Sequence, residues 1–259
     1  MAQSSFDRRR INGPEESRPV VFDDADQEDT SMARRDRGVT DIRPIFLQPG
    51  LITQANGSAY IETERTKLAC AVYGPRQSKT TTYNERGRLN VDVKFAPFSC
   101  ARRRAPLRDA EDRSIAIAIH QAIVSSVCLE LFPKSTIDVF ISIIENDGIE
   151  GCVASGSIAA STALADAGIE MLGLVASCSA AVCEDKIYLD PTEKEAAASH
   201  GTVVFACMPA LSSITSICQS GRMSAEDSLK CMELCQDRCI DIHAVVGQSL
   251  LANNGGSPS

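Results

Sequence analysis

Nowhere does this 259-residue chain run to the roughly 20 consecutive apolar residues that a membrane helix needs. The first 30 residues carry charges throughout and lack the apolar segment of a secretory leader, so a cytosolic or nuclear protein with no membrane partner is expected. No Cys-x-x-Cys pair occurs, although there are 11 cysteines. An odd number scattered through apolar runs, as in Leu68-Ala69-Cys70-Ala71-Val72, argues against a disulfide framework and for small buried hydrophobes in a reducing compartment. Gly148-Ile149-Glu150-Gly151 lacks the spacing of a dinucleotide loop, and neither His120 nor His200 neighbours a recognisable nucleophile. Excess positive charge is missing too. The net charge of −8 argues against free-standing, non-specific nucleic-acid binding, but leaves room for a local basic patch.

What is present reads as an α+β pattern between two polar ends. Residues 1–37 form a charged arm in this reading: the first 40 residues hold 16 charges and too little apolar surface to offset chain entropy. Residues 253–259 read as a disordered tail, leaving 38–252 as the folded domain. Strands are expected at 42–47, 57–62, 67–73 and 89–95, with turns at Pro49-Gly50 and Asn56-Gly57. A helix is expected over 111–132, where Ile115, Ile119, Ile123, Val127 and Leu131 make one stripe that Pro133 ends. A second half then begins with a β-branched strand at 136–144 and an Ala- and Ser-rich helix at 151–167. Strands follow at 174–183, 187–189, 202–207 and 211–218, then a helix over 224–251 opening on a capping box from Ser224 to Asp227. Its apolar stripe includes Cys231, Cys235 and Cys239. Adding His243 tempts a zinc reading, but positions 231 and 243 on one helix lie about 18 Å apart, so core packing is expected and no metal.

Three segments carry a likeness that periodicity cannot supply. Asp41-Ile42-Arg43-Pro44 leads to Gly57-Ser58-Ala59-Tyr60 and Tyr73-Gly74-Pro75-Arg76; Gly87-Arg88-Leu89-Asn90-Val91 leads to Ala96-Pro97-Phe98-Ser99; Ala160 to Ile169 leads to Gly173-Leu174-Val175-Ala176. Together they resemble the RNase PH family across about residues 38 to 252. The resemblance implies one α+β domain of two related β-sheet/helix halves, in a six-membered ring that threads single-stranded RNA. Arg9 to Ser17 and Gly50 to Tyr60 resemble a particular RNase PH-like ring subunit of the eukaryotic RNA exosome. That implies neighbouring RNase PH-like subunits, OB- and KH-fold cap subunits, an associated hydrolytic exoribonuclease, and residence in nucleus, nucleolus and cytoplasm. It also implies work in rRNA processing and RNA degradation.

Active members of the family bind phosphate with Asp-Gly-Gly-Thr-Arg at the turn into the second-half helix, where helix amides assist. Alignment back from Ala160 puts Cys152 and Val153 at the Thr-Arg pair; matching Asp147-Gly148 instead puts Glu150 and Gly151 there. Neither register supplies arginine, and Glu150 repels an anion. A paired-acid motif retains Asp190 and Glu195 but ends in Ala196, whose methyl group neither ligates a cation nor carries a proton. A degenerate, non-catalytic site without cofactor is therefore expected, with Asp190 a turn carboxylate. RNA contact is expected from Arg102, Arg103, Arg104 and Arg108, since the corresponding family loop faces the pore. The plainer alternative is a solvated loop paired to Asp109 or Glu111. The cluster Arg34-Arg35-Asp36-Arg37 reads as serving arm solubility or a subunit contact, less readily RNA. Two other functions compete: an active phosphate-dependent 3′ exoribonuclease, and a free-standing small-molecule enzyme near Asp190.

Overall fold

The computed structural model describes residues 34, 37–78, 84–100, 103–104, 110–183 and 186–255. The expected arm before residue 34 and the last four residues lie outside them. Nine strands and four helices follow in the order β1 (Phe46–Pro49), β2 (Gly57–Thr63), β3 (Thr66–Gln77), β4 (Arg88–Phe95), α1 (Ala110–Val124), β5 (Ser135–Glu145), α2 (Ile149–Asp166), β6 (Ala176–Cys183), β7 (Lys186–Leu189), α3 (Glu193–Ala198), β8 (Gly201–Met208), β9 (Ser213–Gly221) and α4 (Ala225–Gly255). Among the described residues no helix is long and apolar enough to cross a membrane.

The strands form two sheets, ordered β1-β2-β3-β5-β4 and β7-β6-β8-β9. β5 belongs to the first sheet, not to the start of a second half. It runs antiparallel to β3 and parallel to β4, with α1 as the crossover. Ile137, Val139, Ile141 and Ile143 alternate into the core, which is what a central strand with one covered face requires.

α2 lies between the sheets. It packs on β2 and β3 on one side and on β6 and β8 on the other, and every residue from Gly151 to Leu164 is buried. Only small side chains allow that closeness. Gly57 shows the limit: a Cβ there would run into the Ala167 amide nitrogen and the Ala163 carbonyl oxygen. α4 covers the second sheet with Cys231, Cys235, Cys239, Ile242 and Val246 buried, confirming the expected stripe. Its Ser224 hydroxyl accepts from the Asp227 amide at 3.1 Å, while Asp227 accepts from that hydroxyl at 2.6 Å.

Several elements differ from expectation, among them β3, which runs on to Gln77, and β9, which is shifted to Ser213–Gly221. α1 ends at Val124, after which Ser126 turns back to the Ile123 carbonyl through its hydroxyl; Val127 stays buried, but Leu131 is exposed. β1 starts at Phe46; upstream of it the Arg43 amide donates to Asp190 instead of to a strand partner. α3 was not anticipated; Thr192 and Glu195 form its capping box. α4 runs to Gly255, past the expected start of the tail, and Asn253 bonds Asp166 at 3.2 Å.

Candidate functional site

The positions that the sequence marked as phosphate-binding do meet those marked as acidic, at the end of β7 where α2 begins. Gly148 takes φ 112° to enter α2 and offers no side-chain cap. Glu150 turns to the second sheet and accepts from Thr202 at 3.0 Å. Gly151, Cys152 and Val153 are buried. The Cys152 thiol donates to Asn146 at 2.9 Å, and burial pushes it well above the usual thiol range, so it is no nucleophile.

Arg43 occupies the junction. Its guanidinium donates to Asp190 through Nε at 2.7 Å and Nη2 at 2.6 Å, and to Asp147 through Nη1 at 2.6 Å. Its backbone amide adds a fourth bond, to Asp190 at 3.0 Å. Gly151 has the adjoining place, where a Cβ would lie 3.7 Å from Arg43 Nη2. Asp190 itself sits at φ 50°, a left-handed turn that aims its carboxylate inward. Burial pushes its pKa up, but the Arg43 hydrogen bonds and charge, aided by Arg37, hold it below the ordinary carboxylate value.

The residues just before the expected domain start complete the cluster. Arg34 grips Glu195 with two bonds, 2.7 and 2.9 Å, donates to the Leu189 carbonyl, and lies 5.0 Å from the centre of the Tyr188 ring. Arg37 donates to the Asp190 carboxylate at 3.2 Å and to its carbonyl at 2.8 Å. Burial lowers the Arg37 pKa despite Asp190. Glu195 is also raised by burial yet ends below its ordinary value, held by Arg34 and the Thr192 amide. Three guanidiniums thus meet three carboxylates: Asp147, Asp190 and Glu195. This corrects two expectations: Asp190 is the hub of a buried ion-pair cluster instead of a plain turn carboxylate, and Arg34 and Arg37 are intramolecular braces. Ala196 sits half-buried on α3 and adds no polar group.

The arginine-rich loop divides. Arg102 and Arg108 lie outside the described residues. Arg104 turns back onto its own fold: Nε donates to Cys100 Sγ at 3.1 Å, Nη2 meets Glu111 at 2.8 Å, the buried Nη1 stands 3.8 Å from Asp112, and the group lies 4.0 Å from the Phe95 ring centre. That is the Glu111 pairing of the plainer alternative. Arg103 is exposed, with no ion pair to any described residue. No group of three or more His, Cys, Asp or Glu among the described residues is arranged to hold a metal ion.

Residues 41–170 match the 3′ exoribonuclease family, domain 1, and residues 173–238 match its domain 2. The chain belongs to the RNase PH, or 3′ exoribonuclease, family. The two matched domains divide after α2, so the family boundary falls between the two sheets. Among its relatives, the "Exosome complex component mtr3" of Schizosaccharomyces pombe is 35% identical, aligned over 97% of this chain and 98% of its own. The human "Exosome complex component MTR3" is 35% identical over 95% and 94%. An archaeal "Exosome complex component Rrp41", from Pyrococcus horikoshii, is 39% identical over 75% of this chain and 78% of its own. Among solved structures, rice Rrp46 superposes with a TM-score of 0.70 at 21% identity, covering 83% of this chain and 96% of that one. The Archaeoglobus fulgidus exosome with RNA bound to the active site gives 0.71 at 17% identity, covering 80% and 89%; both confirm the RNase PH fold.

Proposed function

We propose that this RNase PH-family chain is a non-catalytic ring subunit of the RNA exosome, of the mRNA-transport-regulator type. The observation that carries the reading is the cluster around Arg43. Phosphorolysis needs a cation free to hold inorganic phosphate and carboxylates free to hold a metal or move a proton. Here Arg34, Arg37 and Arg43 are spent on Asp147, Asp190 and Glu195, and Glu150 adds negative charge in the first turn of α2. The near full-length likeness to Mtr3 components supports the same assignment.

In this role the chain helps to build a central channel and guides single-stranded RNA for 3′-to-5′ processing and degradation. It works beside other RNase PH-like subunits, OB- and KH-fold caps and a hydrolytic exoribonuclease that does the chemistry, in nucleus, nucleolus and cytoplasm. The likeness to archaeal Rrp41 keeps one rival in play, an active phosphate-dependent exoribonuclease. Incubation of the purified chain with single-stranded RNA, magnesium and phosphate separates the two. No nucleoside diphosphate is expected. Phosphate-dependent release from a preparation free of contaminating nuclease overturns the non-catalytic assignment.

A further inference from the structure

A groove of about 270 Å³ runs between the edge of the first sheet and α1. β4 is the outer strand there, paired only with β5 among the described residues. Three consecutive β4 residues, Leu89, Asn90 and Val91, line the groove. Leu89 and Val91 pack on the core side, where α1 lies, while Asn90 turns its side chain away to donate to Asp138 at 2.8 Å. Asn90 therefore borders the groove with its backbone. The wall includes the unpaired hydrogen-bonding edge of the strand.

The opposite wall is one face of α1. Arg113, Ala116, Ile117 and His120 line it at i, i+3, i+4 and i+7, which places the two basic residues about 10 Å apart along the helix. Between them lie the apolar Ala116 and Ile117, the latter 49% exposed. Neither Arg113 nor His120 has an ion pair or hydrogen bond to a described residue. Glu111 and Asp112, the acids next to Arg113 in sequence, turn to Arg104 instead. In a chain of net charge −8, the groove thus keeps a cation without a carboxylate of its own.

An open strand edge takes another extended chain, whose backbone completes the hydrogen bonds and whose alternate side chains point into the groove. Residues i, i+2 and i+4 of such a chain span about 13 Å. That sets one acid against Arg113, an apolar side chain over Ala116 and Ile117, and a second acid against His120. A carboxylate accepts from the guanidinium fork and from whichever imidazole nitrogen is protonated. Single-stranded RNA satisfies the cation but brings no peptide ladder to the strand edge.

We infer that the β4–α1 groove docks an extended acidic-apolar-acidic segment of a partner protein by strand addition. The inference does not rest on the proposed RNA-guiding role. The test titrates the full-length chain into a labelled peptide with the core Glu-Thr-Val-Thr-Glu, read by anisotropy. The peptide should bind and slow hydrogen exchange at the β4 amides, and its counterpart with lysine for glutamate should not bind. Arg113→Glu, at an exposed site, should keep the fold and weaken binding by roughly ten- to one-hundred-fold. N-methylation of one alternate set of peptide amides should abolish binding, while methylation of the other set is tolerated. No binding, or binding unchanged by Arg113→Glu, overturns the docking site. Equal binding of the two N-methylated peptides overturns strand addition. Displacement of the peptide by oligoadenylate assigns the groove to nucleic acid and overturns the inference as well.

Discussion

Arg43 has a side chain only 1% exposed, and the Asp147 and Asp190 carboxylates that neutralise it are 13% and 16% exposed. Removing one member of such a cluster leaves an unpaired buried charge, which costs about 3–5 kcal/mol. Arg43→Met should therefore destabilise the chain by that amount, and Asp190→Asn by a comparable but smaller one, because an amide still accepts hydrogen bonds. Equilibrium urea unfolding reads both. The acid response has a definite sign. Asp190 and Glu195 are held below their ordinary values when folded, so their pairs contribute fully above the unfolded carboxylate value of about 4. That contribution is lost as pH falls through the lower folded values. The wild-type chain should thus lose stability below pH 4 more steeply than Asp190→Asn. Equal acid slopes for the two proteins would mean that the cluster does not hold the folded state together.

The elements show which parts of this fold are written locally. Gly57 is the sharpest case, since its hydrogen stands where β2 crosses the backbone end of α2. Gly57→Ala should cost about 1–3 kcal/mol, because the Ala163 and Ala167 backbone has no rotamer to change. At Gly156 the obstacle is the terminal methyl of Ile119, 2.6 Å from the added carbon, and that side chain has other rotamers. A thermal midpoint lowered by several degrees at Gly57 and less at Gly156 is the expected pattern. Strands and helices were legible because their signals are periodic and short-range: the Ile115-Ile119-Ile123 and Cys231-Cys235-Cys239 stripes are buried as read. Placing β5 in the first sheet was not legible, since nothing in a β-branched run says which neighbours it joins. The site was half legible. Gly151 and Asp190 do come together around Arg43, but the Arg34–Glu195 pair closes over 161 residues, a distance no local pattern reports. Asp190 stood out only for its motif, and its arginine partners were hidden in a segment whose charge density looked like solvated arm.

At the scale of the whole molecule, the second sheet ends on an unprotected edge. Among the described residues β9 pairs only with β8, and from Ser213 to Gly221 it carries no charge and no proline, the devices that usually keep an edge strand from joining another. Ile214 and Ile217 are exposed on it, with Leu211 beside it in sequence. Ser213 Oγ and Thr215 Oγ1 are buried there without a hydrogen-bond partner among the described residues. An uncharged open edge of this kind suits a chain that works only inside an assembly, where a neighbour covers it. The purified chain alone should therefore self-associate in sedimentation at micromolar concentration and bind an apolar-surface dye, and both signals should fall when the other ring subunits are added. Ile217→Lys should raise the monomer fraction of the isolated chain while lowering its incorporation into the complex, because the charge protects the edge from every partner alike. A wild-type chain that stays a stable monomer and does not co-purify with the ring subunits would remove the case for obligate assembly.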